Sequence, residues 1–294
     1  MAISSASLAY RRSALMTASK LTVKAPSEEV LRARDNFQDF CKAMGKPPAT
    51  HMLEWHAELC TGEDSECLLG IAGPNTSILA PRGSAKSTVL GLYAAWMIGR
   101  HALAKKMLRI LYIAYMVDIS RAKSATIKGI LTSAKYREIF PTVRLSKIKR
   151  SDEYWSIDYE FAGIDTAGEE AFTIACGGLK GAITSKRSQL VLIDDPIKSA
   201  ASINNPDIRR EMEQTWSNVI APTMFQGARA ICLGTRFHFD DIHATLFVPK
   251  NNWKQIVQKA IITDADGKQR SYWPDFWSMK YLNERKLEDR VAFA

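Results

Sequence analysis

From about position 77 onward, short apolar runs alternate with stretches of helical period. SILA (77–80) is a brief apolar run, and KSTVLGLYAAWMIGRHAL, from Lys86, repeats its apolar residues at helical spacing. LRILYIAY (108–115) is apolar almost throughout, the pattern of a strand covered on both faces. DISRAKSATIKGILTSA reads as a helix begun by Asp118. EYWSIDYEF and AFTIACG read as strands, and LVLI (190–193) as a buried strand that runs into two aspartates. PDIRREMEQTWSNVI is a helix opened by Pro206, and ARAICLG a strand that ends at TRFHFDD. This succession predicts an α/β fold with a central, mainly parallel β-sheet flanked by helices. In such sheets the chemistry gathers at the carboxyl ends of the strands, where all three polar clusters of this chain fall.

The flanks read differently. SEEVLRARDNFQDFCKAMG (27–45) predicts helix capped by Ser27, KPPAT a break, and HMLEWHAEL a short helix running into a loop, TGEDSE. WKQIVQKAIITDADGKQRSYWPDF predicts a strand, a turn at DADGK and a Trp-Pro break, followed by the helical SMKYLNERKLEDRVAFA. The expected division is an N-terminal helical or flexible arm (1–45), a core domain (46–262) and a linker or helical segment (263–294). The apolar ending VAFA suggests a polypeptide cut from something longer.

Composition narrows the class. Hydrophobic residues make up 46% and charged residues 24% of 294, a globular balance, and no apolar run approaches the ~20 residues of a membrane span. The net charge of +9 favours a polyanionic partner. The basic, Ser- and Ala-rich first 24 residues look like a transit peptide but carry no cleavage pattern, so they read as an arm. Cys41, Cys60, Cys67, Cys176 and Cys232 form no C-x-x-C pair, which fits free thiols in a reducing cytoplasm. A zinc site from Cys60, Cys67 and His51 or His56 is disfavoured against that reading.

APRGSAKST (80–88) sits between an apolar run and a helix, where a phosphate-binding G-x-x-x-x-G-K-[ST] loop belongs. Two of its glycines are replaced, by Ala80 and Ala85. Alanine serves there if the backbone dihedral is not strongly positive. The candidate nucleotide-binding residues are Pro81, Arg82, Gly83, Ser84, Ala85, Lys86, Ser87 and Thr88: inward N–H groups and a helix N-terminus suit phosphate. Lys86 would reach the β and γ phosphates, Ser87 would ligate Mg²⁺, and Arg82 would add a cation beside the γ phosphate. By itself the loop is also compatible with an ordinary basic strand-turn-helix connection.

About a hundred residues later, LVLIDDP supplies Asp194 to hold Mg²⁺ and Asp195 to orient the attacking water. Alone, such a pair also fits a helix cap. The third cluster, CLGTRFHFDD, offers Thr235 as a sensor of the γ phosphate. Asp240, Asp241 and His243 imitate a metal site there, but a carboxylate-capped helix start is preferred. Trp55 and His56 precede the loop; Trp55 is the candidate to lie against adenine, with a packed core aromatic as the competing reading. LSKIKRSDE (Lys147, Lys149, Arg150) and ALAKKMLR (102–109) are candidates for DNA phosphates or simple solvated faces.

In the order APRGSAKS, LKGAITSKRSQLVLIDDPI, LGTRFHFDD, the chain resembles the large terminase subunit of tailed bacteriophages, from about residue 45 to its end. The resemblance implies an ASCE-type P-loop NTPase that hydrolyses ATP with Mg²⁺ and drives double-stranded DNA into a procapsid. By carry-over, Lys86 and Ser87 bind nucleotide and Mg²⁺, Arg82 contacts the γ phosphate, Asp194 holds the metal, and Thr235 and Arg236 form the coupling element. Asp195 stands where many members carry glutamate. Lys186 and Arg187 are candidates for a basic residue supplied to a neighbouring subunit. The implied partners are the portal and procapsid, the small terminase subunit, and further copies in a ring, in the host cell cytoplasm. The family's nuclease domain would begin where this chain stops, so no nuclease activity is expected. The alternatives are a P-loop helicase or other DNA translocase, and a nucleotide- or DNA-binding module without turnover.

Overall fold

Ser27 starts the first helix as its position predicts: its hydroxyl accepts from Val30 N at 3.3 Å, and α1 runs Glu28–Asp35. The computed structural model describes residues 25–60, 73–180 and 186–288. Asn36 caps α2 (Phe37–Ala43), and a 3-10 turn leads into α3 (Leu53–Leu59). β1 (Asn75–Leu79) enters the phosphate-loop segment and α4 (Lys86–Leu103) leaves it. β2 (Ile110–Ala114), α5 (Val117–Thr132) and α6 (Ala134–Ile139) follow. Then come β3 (Leu145–Arg150), β4 (Tyr154–Ile157), β5 (Ile174–Gly178) and β6 (Ser188–Asp194). α7 (Pro206–Thr215) passes through a π turn at 216–220 towards β7 (Met224–Gly234). α8 (Ile242–Thr245), β8 (Trp253–Val257), the hairpin β9 (Ile261–Thr263) and β10 (Gln269–Ser271), and α9 (Met279–Glu288) complete the described residues.

Eight strands form one sheet in the order β3-β4-β5-β2-β6-β7-β1-β8. From β5 to β8 every pairing is parallel; β3 and β4 add an antiparallel edge. β7 lies between the loop-bearing β1 and the acidic β6, the strand insertion of the ASCE class, so the chain has an α/β P-loop NTPase fold. The register matters for function. Leu79 pairs with Gly234 and Asp194 with Leu233, which brings the ends of β1, β6 and β7 to one edge.

Several expectations needed correction. Met116, not Asp118, occupies the N-cap of α5; Asp118 lies in the first turn and pairs with Arg121 at 2.9 Å. EYWSIDYEF yields only four strand residues, because the Asp158 carboxylate accepts from Phe161 N and turns the chain. LSKIKR, read only as a basic stretch, is the edge strand β3.

The arm expected over 1–45 is, over 28–43, part of the core. Phe37 and Phe40 are fully buried, Phe37 packs on Tyr93 and Trp96 of α4, and Trp96 Nε1 donates to Ala33 O at 3.0 Å. Residues 1–24 and Cys67 lie outside the described residues. The segment expected as a linker also packs back: Tyr272 and Leu282 are buried. Among the described residues no helix is long and apolar enough to cross a membrane.

Candidate phosphate-binding site

The loop between β1 and α4 is closed by its own groups. Ser84 Oγ donates to Pro81 O at 2.7 Å, and Lys86 Nζ donates to Ala80 O at 3.1 Å and Pro81 O at 2.9 Å. Ala85 has φ 61° and ψ 23°. The expectation that alanine serves there without a positive dihedral is therefore overturned: Ala85 adopts the left-handed conformation that glycine takes without strain. α4 begins with no side-chain cap, so its first-turn N–H groups remain for a ligand. Gly83, Ser84, Ala85, Lys86, Ser87, Thr88 and Asp195 line a cradle of about 180 Å³ there.

The acidic pair meets this cradle. Asp194 is 1% exposed; Ser87 Oγ donates to its Oδ1 at 2.8 Å and Tyr112 Oη to its Oδ2 at 2.9 Å. Burial, then the neighbouring Asp195, raises the Asp194 pKa above the usual carboxylate value. Asp195 has φ 43°, and its N–H donates to Leu233 O at 2.9 Å. A positive φ on a non-glycine residue stores strain, a frequent mark of functional positions. Lys86 Nζ donates to Thr235 Oγ1 at 2.9 Å and lies 3.7 Å from Asp195 Oδ1. Burial lowers the Lys86 pKa, and Asp195 and Asp194 oppose that shift. One cation, two carboxylates and two hydroxyls thus share the strand ends.

An oxygen-only set suits magnesium, which keeps several waters and needs only one or two carboxylates. The Ser87 hydroxyl and the buried Asp194 carboxylate, 2.8 Å apart, fit that role. Among the described residues no group of three or more His, Cys, Asp or Glu could hold a metal ion.

Other sequence candidates lie elsewhere. Trp55 is fully buried in the main core, edge-on to His51 at 5.2 Å, and cannot lie against a base. His56 stacks on Phe37 at 4.5 Å. Arg82 turns away from the cradle, donating to Lys198 O at 2.5 Å and lying 4.9 Å from the Phe237 ring centre. Pro81 lines the same neighbouring cavity as Arg82. Arg236 folds onto its own loop, donating to Phe239 O at 3.0 Å.

Lys186 and Arg187 precede β6, at the end of that strand opposite Asp194. Lys186 pairs with Glu170, and Arg187 lies 5.9 Å from the Phe225 ring centre. Lys147, Lys149 and Arg150 sit on β3, at the far edge of the sheet. Lys149 Nζ donates to Ala171 O at 2.6 Å and Arg150 Nε to Ser146 O at 3.0 Å. Arg109, in the second basic stretch, is buried and paired with Glu169.

In the third cluster Asp241 caps the four-residue α8, as preferred: Oδ1 accepts from His243 N at 3.1 Å and Oδ2 from Phe237 N at 3.1 Å. His243 is buried beside Ser77, its pKa lowered by burial.

Two contributors escaped the sequence reading. Tyr112 braces Asp194 from the neighbouring strand; its signal was a lone hydroxyl in an otherwise aliphatic run. Arg229, 0% exposed, donates to Pro74 O at 2.9 Å, Leu59 O at 3.2 Å and Thr76 Oγ1 at 2.9 Å, and pairs with Glu58 at 3.3 Å. It ties α3 to β1 and β7 behind the loop.

No protein-family model and no curated protein matches the chain. Among solved structures it is similar to a mutant of the large terminase ATPase domain of Thermus phage P74-26: 15% identity, TM-score 0.48, covering 85% of this chain and 92% of that one. It is also similar to the large terminase of a thermophilic bacteriophage in complex with ATP-gamma-S: 11% identity, TM-score 0.44, 82% of this chain and 49% of that one. The chain thus spans about half the length of that second terminase. The yeast DEAD-box splicing factor Prp28 aligns at 9% identity and TM-score 0.42, over 81% of this chain and 50% of its own. At these identities and TM-scores the likenesses assign no activity to the chain.

Proposed function

We propose that the chain is an ATP-hydrolysing motor domain that drives double-stranded DNA into a viral procapsid. The observation that carries the ATPase reading is the 2.8 Å contact between Ser87 and Asp194, which joins the phosphate loop to the acidic strand end. Lys86 would hold the β and γ phosphates, with first-turn N–H groups of α4 around them. Ser87 and Asp194 would hold Mg²⁺, which when bound neutralises charge on the phosphates. Asp195, with its side chain 43% exposed, would accept from the attacking water and orient it. Thr235, which already touches Lys86 and Asp195, would register the γ phosphate.

The packaging assignment rests on the ordered motifs APRGSAKS, LVLIDDP and LGTRFHFDD. On that reading the partners are double-stranded DNA, the portal and procapsid, a small terminase subunit and further copies of this chain in a ring, in the host cytoplasm. Lys186 and Arg187, distant from this chain's own cradle, would serve only across a subunit boundary. Lys147, Lys149 and Arg150 would contact the DNA backbone.

Steady-state ATP hydrolysis tests the site. Turnover is expected to be slow in isolation and stimulated by DNA or assembly. Lys86→Ala is expected to abolish it; full turnover in that variant would overturn the assignment. Asp195→Asn is expected to keep nucleotide binding and lower turnover by roughly 10²-fold or more, the scale of a lost catalytic proton acceptor. Binding without turnover under every condition would leave only a nucleotide-binding module.

A further inference from the structure

A cavity of about 570 Å³ adjoins the phosphate cradle at Gly83, a residue that lines both. One wall is the first half of the loop, Ala80 to Gly83; another is the segment after β10, which contributes Tyr272, Trp277 and Tyr281. Trp277 lies hard against the loop: a Cβ on Gly83 would stand 2.6 Å from its Cζ2. Gly83 has φ 77°, so both its backbone and its neighbour require glycine. Tyr281 stacks on Trp277 at 5.0 Å with 20° between the rings. The wall is therefore flat and aromatic.

That wall also carries polar atoms without partners. Tyr272 is 2% exposed and its Oη has no hydrogen-bond partner; Trp277 Nε1 is buried and equally without one. The two groups influence each other but do not reach hydrogen-bond geometry. Burial of such groups without a partner is unfavourable, and native interiors rarely tolerate it. Two donors on one wall of a partly apolar cavity match a flat ligand with ring nitrogens or oxygens along its edge.

We infer that this cavity receives the heterocyclic base of the nucleotide whose phosphates occupy the cradle, with Tyr272 and Trp277 donating to acceptor atoms on the base. The inference rests on the nucleotide-binding reading above and deepens it. It replaces Trp55, whose ring is sealed in the core, with residues from a segment nearly two hundred positions beyond the loop. Gly83 is where the phosphate and base portions of the ligand meet. Buried donors left without partners would discriminate against a ligand that lacks the matching acceptors.

The test compares ATP with inorganic tripolyphosphate, each with Mg²⁺, by titration calorimetry on the full chain. Tyr272→Phe and Trp277→Phe keep the rings and remove the donors. Each is expected to weaken ATP binding roughly tenfold, the scale of a lost hydrogen bond to a buried partner. Tripolyphosphate binding should stay within about twofold of the parent, which also shows that the variant is folded. Unchanged ATP affinity in both variants overturns the base pocket. So does parallel loss of both ligands, which would make the two residues braces of the loop. If tripolyphosphate fails to bind the parent chain, or binds Lys86→Ala equally well, the cradle itself falls and the pocket with it. Tripolyphosphate bound through Lys86, with ATP indifferent to both substitutions, overturns the pocket alone.

Discussion

Ala85 sits at φ 61°, in a conformation that costs an L-residue about 1–2 kcal/mol relative to the right-handed region. Its carbonyl nevertheless accepts from Val89 N at 3.0 Å and starts α4. Glycine at this position removes the steric cost but adds freedom to the unfolded chain. Ala85→Gly is therefore expected to raise stability by about 1 kcal/mol, or ~2–4 °C in Tm. A thermal melt checks this; a lower Tm would mean that the Ala85 methyl packs better than its dihedral costs. Asp195 presents the opposite case. Its φ of 43° is held by the strand-end bond to Leu233 O, so the strain accompanies a placed carboxylate. The loop, the acid pair and Thr235 were legible in the sequence because each follows an apolar strand directly. Tyr112 was not, because its role depends on which strand lies beside β6.

At the scale of elements, β1, β7 and α3 are joined by Arg229. Its guanidinium is surrounded by backbone carbonyls, Thr76 and Glu58, and Glu58 also pairs with Lys254. Removing one member of a buried ion pair leaves the other uncompensated, at about 3–5 kcal/mol. Arg229→Met is expected to lower the stability by that amount, read from the denaturant midpoint, and Glu58→Gln in the same chain should recover part of it. An Arg229→Met midpoint equal to the parent's would show that the network contributes nothing. The strand ARAICLG was legible from its apolar run; the arginine inside it was not, since one charge in a strand says nothing of a buried acid 171 positions earlier. β3 shows a related limit. Its charges and the 91% exposed Ile148 hide a strand pattern, because an edge strand has little core to face.

For the whole molecule, buried histidines couple folding to pH. His56 and His101 are 1% and 3% exposed, and burial lowers the pKa of each to about 4 from 6.5. His243 is shifted the same way, also by burial. The unfolded chain then binds more protons than the folded one between these values. The neutral, folded form is fully favoured above pH ~6.5, and that stability is lost as pH falls through the window towards about 4. The expected result is a Tm that falls steeply between pH 6.5 and 4.5, by roughly 1–3 kcal/mol per histidine in stability. Phe in place of His101 should flatten that slope, whereas a pH-independent Tm would show these rings charging freely in the fold.

The amino-acid pattern alone determined the alternation of strands and helices, the phosphate loop, the acidic strand end and the Asp241 cap. These are local: a strand, a turn and a helix start lie within a few residues of one another, and their chemistry is read off adjacent positions. Tertiary structure decided which way Arg82 turns, that Trp55 is sealed in the core, that Ala85 is left-handed, and that Tyr272 and Trp277 reach the loop from the far end of the chain. Each of these depends on contacts between distant segments, where burial and steric exclusion, rather than residue type, select the conformation.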